Sequence, residues 1–437
     1  VPLTYWAEYA WIGPPTHHGV LITVDGGRIT SVELGVDPTP GAVRLAGLTL
    51  PGLANAHSHA FHRALRGRTH SGRGSFWTWR EHMYAIAGRL DPDGYHALAR
   101  AVFAEMALAG ISTVGEFHYL HHGPDGIAYA DPNEMGHRLI AAAEEAGIRI
   151  TLLDTVYLTS TVDGRGLDGV QRRFGDGTVD AWAARVAELK SAPHARIGAA
   201  AHSVRAVPPD ALRQLAERPL VHVHLSEQRA ENEACQAVHG CSPTVLLDRA
   251  GLVGPGLTAV HATHLADEDR VLLGDQAAGV CLCPTTERDL ADGLPTARAL
   301  ADAGSPLCLG SDSHAIIDLF EEARAVELDE RLRDEHRGHF TVAELLTAAT
   351  VAGQAALGWD DAGRLAPGAR ADLVTVRLDT VRTAGFDPTD AAAAVVFAAA
   401  AGDVTDVVVD GRPVVRDGRH LLVDDVPRAL AEAVAAL

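Results

Sequence analysis

Long apolar runs are missing from this 437-residue chain: none reaches the roughly 20 residues that a membrane span needs, so no membrane role is implied. Cysteine is sparse. Five residues (Cys235, Cys241, Cys281, Cys283 and Cys308) in a chain of this size do not make a disulfide framework, which suits a reducing compartment. The Cys281-x-Cys283 spacing fits neither a redox pair nor a zinc pair. The first residues, Val1 to Trp6, lack the basic and apolar regions of a secretory signal, and a cytoplasmic location is the expectation. Positive charge is also short. With 37 Lys and Arg against 57 Asp and Glu, the net charge of −20 argues against nucleic acid as a partner, because phosphate binding needs a basic surface. Lys190 is the only lysine. An anionic substrate would meet an opposing global field, so specific arginines must supply local attraction.

What is present points to a soluble globular enzyme. A hydrophobic content of 47% and a charged content of 22% suit one barrel-sized core with a smaller companion domain. Near the N-terminus, Asp25-Gly-Gly27 separates two β-rich runs, which is a hairpin signal. The same grammar returns at 371–376 and at 405–409, the latter followed by Asp410-Gly411. Between these ends, β-branched runs alternate with Ala/Leu/Arg-rich helical stretches at 97–109, 181–189, 267–273 and 320–332. Eight strands are expected to end near His57, Glu116, Tyr157, Ser203, Glu227, His264, Thr286 and Ser311. The expected class is therefore α/β: a (β/α)8 TIM barrel over 50–365, with a long insertion at 61–92. A small β-sandwich domain would be formed by both termini, from 1–49 and 366–437, the latter ending in a helix.

In such a barrel the reactive groups sit where strands end. Asn55-Ala-His57-Ser-His59, His222-Val-His224-Leu-Ser-Glu227, His261-Ala-Thr-His264 and Gly310-Ser-Asp312-Ser-His314 fall at those places. Residues two apart on a strand leave from one face, so His57 and His59 can converge on one ion. The pair alone is weak, since 23 histidines make about one His-x-His expected by chance. Order along the strand ends carries the argument instead, giving His57, His59, His224 and Asp312 as metal ligands. His222, deeper in the barrel, reads as a core histidine. Nitrogen and carboxylate ligands without thiolate suit zinc, with iron or manganese able to take the same set.

This ordered set resembles the amidohydrolase superfamily, in its mononuclear branch of adenosine, cytosine and guanine deaminases. Binuclear members place a carboxylated lysine at the end of strand four, whereas Lys190 precedes that strand. Further motifs narrow the resemblance: Ser75-Phe-Trp-Thr-Trp-Arg-Glu81, Gly115-Glu-Phe-His-Tyr-Leu-His-His122, His202-Ser-Val-Arg205 and Cys283-Pro-Thr-Thr-Glu287 look like the formimidoylglutamate deiminases. The resemblance implies hydrolytic deimination of N-formimino-L-glutamate, a dicarboxylate amidine, to N-formyl-L-glutamate and ammonia in histidine degradation.

Metal-activated hydroxide is the nucleophile such a site provides at neutral pH. His261 and Asp312 are then candidates to take the water's proton, and Glu227 to protonate the leaving nitrogen. Arginine forks bind carboxylates bidentately, which makes Arg205 the first choice for the substrate and His202 the second. By resemblance Arg80 and Tyr119 complete the pocket, and in a homodimer Arg80 could serve the neighbouring subunit. His62 stands where relatives usually have Gln, and Asp289 where they often have Asn. The competing readings are a deaminase of purines, pterins or other amidines, a cyclic-amide hydrolase, and a barrel without catalysis.

Overall fold

The computed structural model describes residues 2–70 and 76–437. Four N-terminal strands come first: β1 (Leu3–Ala10), β2 (His17–Asp25), β3 (Arg28–Leu34) and β4 (Val43–Pro51). Gly26 and Gly27 join β2 to β3 with φ of 55° and 80°, the left-handed pair that a tight two-residue hairpin requires. Eight barrel strands follow: β5 (Leu53–Ser58), β6 (Ile111–His118), β7 (Arg149–Val156), β8 (Ala195–Ala201), β9 (Val221–Leu225), β10 (Leu257–His261), β11 (Gly279–Leu282) and β12 (Leu307–Leu309). The chain returns in β13 (Leu373–Val376), β14 (Val404–Val409), β15 (Arg412–Arg416) and β16 (Arg419–His420).

Strands β5 to β12 pair in sequence order, each ladder parallel, with helices between them: an α/β barrel. The strands are covered on both sides, which is why β6 and β7 are buried at every residue and read as near-continuous apolar runs. Both termini contribute to a second sheet of order β16-β15-β14-β13-β4-β1-β2-β3. The expected β-rich domain is thus one continuous mixed sheet, in which β1 and β4 are the parallel pair. Arg149, buried at the start of β7, ties the two units together through Asp372 and through Asp410 at 3.1 Å.

Several boundaries differ from the sequence expectation. The helix expected from 97 begins at Pro92, because Asp91 caps it by accepting from the Gly94 N–H at 2.7 Å and proline suits the first helical position. β10 stops at His261, not His264, because His261 and Ala262 turn into positive φ. β11 stops at Leu282, and Pro284 then opens a short helix, Pro284–Asp289. The 61–92 insertion holds the 3-10 turn Ala60–Leu65 and the helix Phe76–Arg89; Ser75 lies outside the described residues. Among the described residues no helix is long and apolar enough to cross a membrane.

Candidate metal centre and catalytic cavity

His57 lies on β5, His59 just beyond its end, His224 on β9 and Asp312 three residues past β12. Their donor atoms converge. His57 Nε2 is 3.1 Å from His224 Nε2 and 3.2 Å from Asp312 Oδ1, while His59 Nε2 is 3.3 Å from each of the same two atoms. Ligands bound to one tetrahedral zinc at its usual bond lengths stand about 3.3 Å apart, so these separations match the edges of a single coordination sphere.

The proton positions sharpen the point. His59 Nδ1 donates to the Phe117 carbonyl at 2.9 Å, and His224 Nδ1 to the His202 carbonyl at 2.8 Å. Burial drives the pKa of both imidazoles well down, so both are neutral and both Nε2 atoms carry lone pairs. Two lone pairs facing each other beside the Asp312 carboxylate repel unless a cation sits among them. The residues present fit a divalent ion.

Beside this set, His261 Nε2 lies 3.7 Å from Asp312 Oδ2 and 3.8 Å from Glu227 Oε1. Its Nδ1 is 3.4 Å from Glu287 Oε1, an oxygen that also accepts the Cys283 N–H at 3.0 Å. Burial alone would lower the His261 pKa, but the carboxylates of Glu227, Glu287 and Asp312 outweigh it and push it up to about 10. Burial also raises the Glu227 pKa. The backbone is strained here: Ser226, His261, Ala262, Asp312 and His314 are five of the eleven non-glycine residues with positive φ among those described. Such conformations cost energy and persist where surrounding structure imposes them.

A cavity of about 60 Å³ brings His59, His224 and Asp312 together with Glu227 and His261. The predicted binding residues His62, Arg80, Tyr119, His202 and Arg205 line the same cavity. His57 is fully buried and is not among its lining residues. His62 Nε2 pairs with the Tyr119 hydroxyl at 2.9 Å, and burial takes its pKa down to about 3, so it acts as a neutral partner. Arg205 is held by the Tyr157 hydroxyl at 3.1 Å and makes no ion pair within 4 Å among the described residues, with Glu231 as a more distant counter-charge. Arg80 stacks its guanidinium over Trp77 at 4.6 Å. A larger cavity of about 490 Å³ adjoins, sharing Arg80, His202, Arg205, His224 and Glu227.

Sequence reasoning missed roles for several residues. Met83, Tyr84, Phe174 and Leu290 supply apolar lining, and Tyr157 seats Arg205. Glu287 stood in a quoted motif without a function; its position four residues after Cys283, whose N–H it accepts, was the available signal. Asp289 pairs with His70 at 2.7 Å and is not among the residues lining the cavity. His222 is pinned to the Ala356 carbonyl at 2.8 Å, His264 to the Asp292 carbonyl at 2.7 Å, and Lys190 is exposed.

The chain belongs to the amidohydrolase family, whose pattern it matches over residues 48–414. It is a metal-dependent hydrolase acting on C–N bonds. Among curated relatives, the formimidoylglutamate deiminase of Pseudomonas aeruginosa is 36% identical, over 91% of each chain. The 5-methylthioadenosine/S-adenosylhomocysteine deaminase of Pelotomaculum thermopropionicum is 29% identical, over 88% of this chain and 84% of its own. An amidohydrolase from Brucella melitensis superposes with a TM-score of 0.90 at 33% identity, covering 99% of both chains.

Proposed function

We propose that this enzyme hydrolyses N-formimino-L-glutamate to N-formyl-L-glutamate and ammonia, with one divalent ion, zinc being the expected one, held by His57, His59, His224 and Asp312. Bound there, the ion supplies Lewis-acid activation of water at neutral pH. The protein's groups do the rest. Arg205 and His202, with Arg80, Tyr119 and His62, bind the two carboxylates and fix the amidine against the ligand set. Asp312 takes the proton that water loses as its oxygen bonds to the amidine carbon, and His261, kept protonated by the carboxylates around it, donates to that oxygen. Glu227, close to His261, passes a proton to the departing nitrogen as the C–N bond breaks. Ammonia leaves, and the oxygen stays as the formyl carbonyl.

The observation that carries this reading is Arg205, a half-buried guanidinium lining the catalytic cavity that makes no ion pair within 4 Å among the described residues, the Glu231 carboxylate acting on it only from farther off. A purine site has no need of it. The 36% identity to a formimidoylglutamate deiminase supports the same substrate. Arg205→Ala should raise KM for formiminoglutamate about 10- to 100-fold, the worth of one charge-assisted interaction. A coupled assay of ammonia and formylglutamate checks this. Unchanged KM, or deamination of adenine or guanine compounds in place of formiminoglutamate, would sink the assignment.

A further inference from the structure

Parallel pairing runs unbroken from β5 to β12, but where the barrel should close, β12 meets β5 through the isolated bridge between Ser58 and Asp312. Three of the four proposed ligands, His57, His59 and Asp312, stand at this seam. Gly310 lets the two strands approach: a Cβ there would fall 2.7 Å from His57 Cβ and 3.0 Å from Cys283 Sγ. The backbone ladder there is reduced to two bonds, from the Asp312 N–H to the His57 carbonyl at 3.0 Å and from the His59 N–H to the Asp312 carbonyl at 3.2 Å, and buried side chains reinforce them.

A chain of five fully buried side chains crosses the seam. Asn55 Nδ2 lies 2.7 Å from Ser311 Oγ, Ser311 Oγ 2.9 Å from His314 Nδ1, His314 Nε2 3.1 Å from Ser58 Oγ, and Ser58 Oγ 2.6 Å from Glu116 Oε2. With Glu116 ionised, the protons run in one direction. The Asn55 amide donates to Ser311, the Ser311 hydroxyl to neutral His314, the His314 N–H to Ser58, and the Ser58 hydroxyl to the Glu116 carboxylate. The other Glu116 oxygen accepts the Ala60 backbone N–H at 2.7 Å. Glu116 thus grips the residues immediately before and after His59. Burial pushes the Glu116 pKa up to about 8, against the bonds from Ser58 and Ala60 that favour the carboxylate.

We propose that Glu116 is a positioning residue of the metal centre: it clamps His59 through Ser58 and Ala60 and couples that clamp across the seam to Asp312 through His314 and Ser311. The inference rests on the ligand set proposed above. Its test is zinc affinity, measured by chelator competition on the full chain without substrate, alongside thermal unfolding of the metal-free protein. Glu116→Gln keeps the size but sets an amide N–H against a donor. It should weaken zinc binding about 10- to 100-fold while the metal-free midpoint stays near that of the parent. Ser58→Ala should weaken it several-fold, and the double variant should be little worse than Glu116→Gln, because both cut one chain. Should Glu116→Gln not fold, Ser58→Ala carries the test.

Parent-like zinc affinity in the folded variants would overturn the proposal, as would a lowered metal-free midpoint with affinity intact. A parent chain that binds no zinc would overturn it together with the metal centre. One that binds zinc but releases no ammonia from formiminoglutamate overturns only the substrate reading.

Discussion

Two buried histidine–carboxylate clusters lie at the strand ends of the barrel, and they solve the problem of buried charge in opposite ways. The first is the set of His57, His59, His224 and Asp312. The second joins His118 and His121, at the end of β6, to Asp154 on β7. By spacing alone an ion could be held by His57, His224 and Asp312 with His261, by His59 and Asp312 with His62, or by His118, His121 and Asp154. In the second, Arg185 reaches both oxygens of Asp154 at 2.8 and 2.9 Å and both oxygens of Asp176 at 2.8 and 2.9 Å. Trp182 adds a bond to Asp154 at 2.8 Å. His121 Nε2 donates to the Thr155 carbonyl, which leaves its Nδ1 free to accept from His118 at 3.3 Å. Every close contact has a donor and an acceptor. The protein supplies its own cation there, whereas in the first cluster lone pairs converge and the proposed ion would supply it. Identical residue types therefore mean a metal site or a structural network according to where protons and guanidinium groups fall.

Three experiments press on this contrast, beginning with the largest effect. Removing the ion with a chelator should abolish activity and lower stability, by about 4 kcal/mol relative to protein at an ion concentration 1,000 times Kd. Activity and thermal midpoint should both return on adding zinc; indifference to chelation would erase the distinction. Next, Arg185→Met should cost roughly 3–5 kcal/mol in urea unfolding, because it strands two buried carboxylates, yet leave zinc affinity unchanged. A matching loss of zinc affinity would mean that the clusters are one unit.

The smallest effect is that of acid. Burial alone would raise the Asp154 pKa, but Arg185 outweighs it and takes it down to about 2, below the roughly 3.9 of an unfolded chain. A depressed folded pKa gives stability that is present above the unfolded value and lost as pH falls through the folded one. Metal-free protein should accordingly lose about 2 kcal/mol between pH 4 and pH 2 from this group. The unfolding midpoint followed against pH checks it. If Asp154→Asn has the same profile as the parent, the loss comes from elsewhere.

How far the sequence could be read depended on whether a feature is local. Hairpins announced themselves as Asp-Gly and Gly-Gly, and barrel strands as apolar runs ending in polar residues. The two-residue spacing of His57 and His59 followed from strand geometry. Boundaries were less legible: β10 ends where His261 enters positive φ, and nothing in His-Ala-Thr-His signals a left-handed turn. Glu287 and Glu116 stayed silent for a different reason. Their partners, His261 and Ser58, are 26 and 58 residues away, and a carboxylate's role lies in what it meets. The grip of Arg173 on the carbonyls of Ala87, Leu90 and His122, which holds the end of the helix carrying Arg80, is equally invisible before folding.

By itself the sequence determined the barrel, the order of chemical groups along its strand ends and the family, because alternating strand and helix patterns and fixed spacings are written in neighbouring residues. Only the tertiary structure decided which histidines face one another with lone pairs and which with protons. That choice is made by carbonyls and guanidinium groups brought in from distant segments, and in a buried site those partners fix both tautomer and charge.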